Sequence, residues 1–221
     1  MNRTFFIFVG LIVAVAISAF AAQTSKRFFL SKDATAIQEV ITDQINSPIL
    51  TLKELTDTVP AHYPHEFTQK FINKKFHMIS VSPNDKKIAF VSGEPDQWLG
   101  VIDTDLRIYK FILFGKNTNF IDALWSPDSR YLAYAFKGPD RRIVVHLVEP
   151  PPADQVKPRP MNGWQYQANA EEYLRAIGWK ATGKDTTFAF EVLDAKGKAM
   201  ETINLPLHRQ APAGPLKSQG E

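Results

Sequence analysis

The stretch FIDALWSPDSRYLAYAFKGPDRRIVVHLVE, Phe120–Glu149, decides the fold. It contains three short apolar runs separated by turn-forming residues, and it therefore predicts three consecutive β-strands. The runs are Phe120–Trp125, Tyr131–Phe136 and Arg142–Val148. Ser-Pro-Asp-Ser separates the first two runs. It predicts a tight turn, because proline presets φ and the following Asp and Ser can bond their own backbone.

The same pattern occurs earlier in the chain, in MISVSPNDKKIAFVS, Met78–Ser92. Here Ser82-Pro83 corresponds to Ser126-Pro127, which follows 44 residues later (126 minus 82). A weaker third copy follows, in which Trp179 corresponds to Trp125. Repetition at this period is typical of propellers, in which each unit forms one small sheet.

The prediction divides the chain into five kinds of segment. They are a targeting segment (1–22), a lead-in of helix and strand (23–75), propeller-like repeats (76–114, 120–149 and 174–207), a proline-rich linker (150–160) and a disordered tail (208–221). The linker takes the place of a fourth strand in the second unit, because prolines cannot donate to a strand ladder.

Composition bounds the class of protein. The chain has 221 residues, of which 44% are hydrophobic and 22% are charged, and this predicts a globular domain. The net charge is only +3 and the basic residues are scattered, whereas nucleic-acid binding needs a concentrated stripe. Nucleic acid is therefore excluded as a partner. The absence of cysteine excludes disulfides and thiolate metal sites.

The amino terminus reads as a targeting segment. Arg3 precedes a run without polar side chains, Phe5–Ile17, and Ala19-Phe20-Ala21 offers the small-x-small pattern of a cleaved signal peptide. The alternative is a retained membrane anchor, since Phe5–Ala22 holds 18 residues, the lower limit for crossing a bilayer. Both interpretations predict an extracytoplasmic chain, either periplasmic or secreted, or anchored by this helix.

The lead-in predicts one short amphipathic helix and a strand. Ser31-Lys32-Asp33 resembles a helix amino terminus and Asn46-Ser47-Pro48 a stop. Between them an apolar stripe has helical spacing, formed by Ile37, Val40, Ile41 and Ile45. Ile49–Leu55 then alternates as a half-buried strand would.

At these repeats the chain resembles the TolB-type, WD40-like propeller family. Eight positions carry the signature, and we interpret them as structural: Ser82, Pro83, Asp85, Trp125, Ser126, Pro127, Asp128 and Trp179. Asp85 and Ser129 depart from the family pattern, which has glycine there, and Lys180-Ala181 replaces Ser-Pro. The resemblance implies a mainly all-β, partial or open β-propeller of about three blades, acting in the envelope or as a secreted protein through protein contacts.

Three blades leave unpaired edges, since propellers usually close with four to eight blades. Ile49–Leu55 and the region around Trp164–Tyr166 could complete a fourth sheet. Two chains could instead pair as a homodimer. We favour an open arrangement, whose edges the amino-terminal helix and the proline-rich linker cover.

The sequence predicts no catalytic residue, no cofactor and no metal site. Ser82 and Ser126 precede turn prolines, and His62 and His65 lie in a proline-broken loop without further ligands. His146 is a lone strand histidine, and Asp103 with Asp105, or Glu171 with Glu172, look solvated.

The best candidates for an exposed partner contact are Trp164 and Tyr166, beside Arg159. These features predict a non-catalytic protein, exported or membrane-tethered, that binds another macromolecule of the cell envelope. The alternatives are a hydrolase with a peptide or glycan cleft on the propeller rim, and a degenerate structural propeller without a ligand.

Overall fold

The computed structural model describes residues 27–56, 72–94, 96–115, 117–138, 143–151, 159–169, 172–182 and 185–207. Within them the chain forms fourteen strands: β1 Phe28–Leu30, β2 Ala36–Thr42, β3 Ile45–Thr51, β4 Ile72–Val81, β5 Lys87–Glu94, β6 Gln97–Asp103, β7 Ile108–Gly115, β8 Asn119–Trp125, β9 Leu132–Lys137, β10 Ile143–Glu149, β11 Arg159–Gln167, β12 Tyr173–Thr182, β13 Asp185–Leu193 and β14 Ala199–Pro206. One helical turn covers residues 52–56, and the described part of the chain holds no helix long and apolar enough to cross a membrane. The predicted targeting segment, the tail, His62 and His65 lie outside the described residues.

The strands form four antiparallel sheets in chain order. The first sheet contains β1–β3, the second β4–β7, the third β8–β11 and the fourth β12–β14. Each sheet is a meander in which consecutive strands pair. The first strand of the second sheet, β4, contacts the first strands of the first and third sheets, β1 and β8. The mainly all-β, partial propeller predicted from the sequence is confirmed. The three predicted repeats fall in the second, third and fourth sheets.

One turn, built on a serine, joins the first two strands of three sheets. The Ser82 hydroxyl donates to Asn84 Oδ1 at 2.9 Å and accepts from the Lys87 backbone N–H, also at 2.9 Å. Ser126 and Ser31 make the equivalent bonds in the third and first sheets. The fourth residue of each turn is left-handed, with φ of 55° to 60° at Ala34, Asp85 and Ser129. Glycine adopts this conformation most easily, yet all three turns hold a residue with a side chain there.

The helix predicted from Ser31 to Ile45 is wrong. Ser31 opens a repeat turn instead of a helix, and β2 and β3 follow as a hairpin. The helical spacing of Ile37, Val40, Ile41 and Ile45 is accidental, because β-branched residues fit a pleated strand better than a helix. The predicted strand Ile49–Leu55 ends at Thr51, whose hydroxyl caps the helical turn by accepting from the Glu54 N–H at 3.2 Å.

The proline-rich linker was predicted to replace the fourth strand of the second repeat, and this is also wrong. β11 supplies that strand, with Val148 opposite Pro160 and Val145 opposite Tyr166. Pro160 is tolerated because β11 is the outermost strand in the described part of this sheet. Residues 152–158 of the predicted linker lie outside the described residues.

The second, third and fourth sheets stack in one direction, as propeller blades do. The front of the third and of the fourth sheet, which carries the residues on either side of its first turn, packs against the back of the sheet before it. Residues before and after the serine turn of one sheet, such as Trp125 and Leu132, face the preceding sheet. Trp179 and Phe188 repeat this in the fourth sheet. The opposite face of the second and third sheets, carrying Ala89 and Ala133 respectively, meets the next sheet in the chain.

The first sheet departs from this order and packs front to front. Ile37 of the first sheet and Ile88 of the second occupy the same repeat position, yet both lie in one buried cluster between these sheets. The first sheet therefore ends the stack at its amino-terminal side. A sheet, and not the predicted helix, covers this face of the second sheet.

At the other end, the outward face of the fourth sheet is polar. Arg175 and Glu191 form an ion pair there, on the face opposite Phe190 and Val192, which pack against the third sheet. Among the described residues, no buried cluster contains side chains of both the first and the fourth sheet. The described chain is thus an open stack with two different ends.

Candidate functional site

A tryptophan ties each of the last two sheets to the sheet before it. The Trp125 indole N–H donates to the Ser80 carbonyl at 2.9 Å, and Trp179 donates to the Leu124 carbonyl at 3.0 Å. Both rings are buried, so each bond satisfies a polar group that would otherwise be costly to bury. These two tryptophans hold neighbouring sheets together.

A cavity of about 130 Å³ lies between the third and fourth sheets. Its lining is almost entirely apolar, and Asp122 and Tyr134 are the two polar residues in it. The apolar residues are Ile121, Leu124, Ala133, Ala135, Ile143, Val145, Leu174, Phe188 and Phe190. A small number of polar groups in an apolar pocket is the usual character of a small-ligand site.

The repeat shows why the cavity exists. Met78 pairs with Val91 in the second sheet, next to a bulge, and Asp122 pairs with Ala135 at the same place in the third. Met78 and Val91 fill the interface between the second and third sheets. Both counterparts in the third sheet are smaller, and the interface with the fourth sheet is left with empty space.

Asp122 is the one carboxylate in this lining. Its Oδ1 accepts from the Ala123 N–H at 2.8 Å, and no described residue donates to Oδ2 or forms an ion pair with it. Burial raises the pKa of Asp122 above its usual value, only partly offset by that backbone bond. The half-buried Asp122 carboxylate therefore has one backbone hydrogen bond and no cation beside it among the described residues.

His146 lies on the opposite face of the third sheet. Its Nδ1 is 3.2 Å from the Tyr134 hydroxyl, and its buried Nε2 has no partner among the described residues. Burial lowers the pKa of His146 and raises that of Tyr134. In the second sheet Gly100 takes the place of His146, where a Cβ would lie 2.4 Å from the Phe90 ring.

The side chains with catalytic chemistry do not converge on one site. His146 and Asp122 point to opposite faces of one sheet, and the Ser82 and Ser126 hydroxyls are engaged in their turns. Asp103 accepts from the backbone of its own turn. Within the described residues there is also no group of three or more metal-ligating side chains.

The predicted partner contact falls on β11. The Tyr166 ring is half-buried and packs edge-on against Phe190, with centroids 5.0 Å apart, and its hydroxyl is 3.4 Å from Glu172 Oε2. The side chains of Arg159 and Trp164 lie outside the described residues. Tyr166 therefore joins the third sheet to the fourth, whatever else it contacts.

A second surface carries exposed apolar side chains. Glu39 is buried in the first sheet and pairs with Arg27 at 2.6 Å and with Arg107 of the second sheet at 3.2 Å. Four large apolar residues of the first and second sheets are exposed, at 45% to 57%: Ile41, Ile45, Leu106 and Ile108. Leu106 and Ile108 flank Arg107, and Ile41 lies two residues, about 7 Å, beyond Glu39. We call these four residues the rim surface.

Sequence reasoning missed Asp122, Ala135 and the rim surface. A signal for the first two exists, because writing the second repeat under the first at an offset of 44 residues aligns Asp122 with Met78 and Ala135 with Val91. Nothing comparable marks the rim surface, which depends on an ion pair between residues 68 positions apart.

No protein-family model and no curated protein matches the chain. Among solved structures, it is similar to the β-propeller domain of Cps50 (Swd1) from Myceliophteria thermophila, with 12% identity over 76% of this chain and 52% of that one and a TM-score of 0.40. It is also similar to a nidogen/laminin complex (12%, 80% and 58%, TM-score 0.40) and to TolB from Acinetobacter baumannii (14%, 81% and 51%, TM-score 0.31). The chain spans about half the length of these structures.

Proposed function

We propose that the chain is a non-catalytic, protein-binding module of the cell envelope, exported or tethered by its amino-terminal segment. The apolar run Phe5–Ile17 supports export, and the TolB-type repeat signature supports an envelope protein that acts through contacts. The carrying observation is the rim surface beside the Arg27–Glu39–Arg107 cluster.

The rim surface suits a protein partner for two physical reasons. Exposed apolar residues that lie close together mark interaction sites more often than single ones do. The two arginines are partly exposed, at 47% and 51%, and arginine is enriched at protein interfaces because its planar guanidinium can pair and stack. The partner therefore presents an apolar patch bordered by acidic side chains.

β11 offers a second contact surface in the same proposal. Arg159 and Trp164, with Tyr166, are the residues proposed from the sequence to reach a partner there. β11 is the outermost described strand of its sheet, and an outer edge can accept further contacts.

Crosslinked affinity capture of the tagged full-length protein from native envelopes tests the proposal, with partners quantified by mass spectrometry. We expect Leu106→Glu to reduce capture of the main partner about tenfold, the effect of losing one central interface residue. Trp164→Ala tests β11 in parallel. Met200→Glu is the matched control, because Met200 is equally exposed, at 54%, but lies on the fourth sheet.

Two results would contradict the proposal. Capture of the bait alone would remove the binding function. Equal capture by the wild type, Leu106→Glu and Trp164→Ala would show that neither surface binds the partner.

A further inference from the structure

The cavity between the third and fourth sheets has the size and chemistry of a ligand site. At about 130 Å³ it is close to apolar cavities of about 150 Å³ that take up benzene. It therefore has room for a small group of roughly five to eight heavy atoms. Its walls come from two sheets that are held together independently by the Trp179 hydrogen bond.

The walls would select an apolar group. Phe188 and Phe190 line one side and Ala133, Ala135 and Val145 the other. A ligand that replaces water against these surfaces gains roughly 25 cal/mol for each Å² of apolar area it covers. A ligand whose stem is polar or anionic would not gain this binding free energy.

Asp122 would select the head group of the ligand. Its carboxylate sits in an apolar lining with no described cation nearby, and Oδ2 accepts no hydrogen bond from the described residues. A half-buried carboxylate with apolar neighbours pairs best with a counter-charge that also donates hydrogen bonds. An ammonium group does both, whereas a neutral alcohol only donates and an anion is repelled.

We propose that this cavity binds an ammonium group carried on a short apolar stem, with the stem between the two sheets and the ammonium at Asp122. Two sources share this chemistry: a free alkyl or arylalkyl amine, and a lysine side chain of another protein. The proposal does not depend on the rim surface, which involves other sheets.

Benzylamine is the first probe, titrated into the full-length protein labelled with ¹³C at alanine methyl groups. We expect saturable shifts of the Ala133 and Ala135 methyl resonances, which face the cavity. Benzyl alcohol, of the same shape without charge, should bind about tenfold more weakly, because it lacks a charge-assisted hydrogen bond.

Three variants locate the site. Asp122→Asn keeps the shape and should weaken benzylamine binding about tenfold, as a lost charge-assisted bond would. Ala135→Val introduces the residue that the second sheet has at the equivalent position, and it should abolish binding by filling the cavity. Met78→Leu is the matched control at the other interface and should leave binding unchanged.

The source of the ammonium is resolved by two further probes, n-butylamine and N-acetyl-lysine methylamide. Stronger binding of the lysine derivative indicates a partner's lysine, and stronger binding of the free amines indicates a small molecule. The proposal is overturned if no probe shifts the two alanine methyls, if benzyl alcohol binds as well as benzylamine, or if Asp122→Asn binds benzylamine like the wild type.

Discussion

Two neighbouring interfaces are built from the same repeat but carry different side chains. One lies between the second and third sheets, the other between the third and fourth. The first is filled by Met78 and Val91, and the second holds a cavity where Asp122 and Ala135 replace them. The tryptophan bond between sheets is retained in both. Two side-chain positions of the repeat thus distinguish a filled interface from one that contains a cavity.

The largest expected effect comes from moving the carboxylate to the filled interface. Met78→Asp should lower the free energy of unfolding by about 3 kcal/mol, because it removes packing and buries a charge. Urea denaturation measures this, with Met78→Leu as the control that should cost less than about 1.5 kcal/mol. Equal losses for the two variants would show that this interface tolerates an acid as readily as the other.

Exchanging the small residues should give opposite signs at the two interfaces. Val91→Ala should cost about 2 kcal/mol, since it opens a cavity at a fully buried site. Ala135→Val should instead stabilise the protein by about 1 kcal/mol by filling the existing space. Thermal or urea unfolding of both variants tests this. Destabilisation by Ala135→Val would mean that the cavity walls cannot accept two more methyl groups.

Removing the shared tryptophan bond should affect both interfaces alike. Trp125→Phe and Trp179→Phe should each cost about 1.5 kcal/mol, because the Ser80 and Leu124 carbonyls lose an indole donor. The comparison of their unfolding midpoints in urea is the measurement. A markedly smaller loss for Trp179→Phe would extend the difference between the interfaces beyond the cavity.

The smallest effect is in the pH dependence of stability. Folding raises the pKa of Asp122. The contribution of Asp122 to the free energy of unfolding is therefore fully present below pH 3.8 and is lost as the pH rises through the pKa of the folded state. Folding lowers the pKa of His146. The contribution of His146 to the free energy of unfolding is therefore fully present above pH 6.5 and is lost as the pH falls through the pKa of the folded state.

Unfolding of Asp122→Asn and His146→Phe across pH 3 to 8 separates these two contributions. Asp122→Asn should reduce only the loss of stability that accompanies rising pH. His146→Phe should reduce only the loss of stability that accompanies falling pH. Unchanged profiles would show that neither group is buried in solution as it is in the structure.

How far the sequence predicts this fold depends on how strongly each turn is marked. Ser82-Pro83 and Ser126-Pro127 identify two sheets, because proline and the following Asx residues permit few other conformations. Ser31-Lys32-Asp33 forms the same turn without the proline, and the apolar spacing after it imitates a helix. β11 was hidden for a different reason, since prolines at its start disfavour a strand unless it lies at a sheet edge.

The candidate sites were less predictable than the fold. The cavity depends on which residues face each other across two sheets, and its only sequence signal is the alignment of the repeats, which sets Asp122 against Met78 and Ala135 against Val91. The rim surface depends on Arg107 meeting Glu39 of another sheet. Periodicity identifies strands and their buried faces, whereas a site requires knowledge of how the faces are stacked.

The direction of the tryptophan bonds has a consequence for how the chain is assembled. Trp125 donates to a carbonyl of the second sheet and Trp179 to one of the third, so each acceptor is synthesised before its donor. A chain that emerges amino terminus first can therefore dock every sheet onto a completed neighbour without waiting for later segments. Of the four described sheets the first is made earliest, and it can cover one face of the second sheet as soon as that sheet forms.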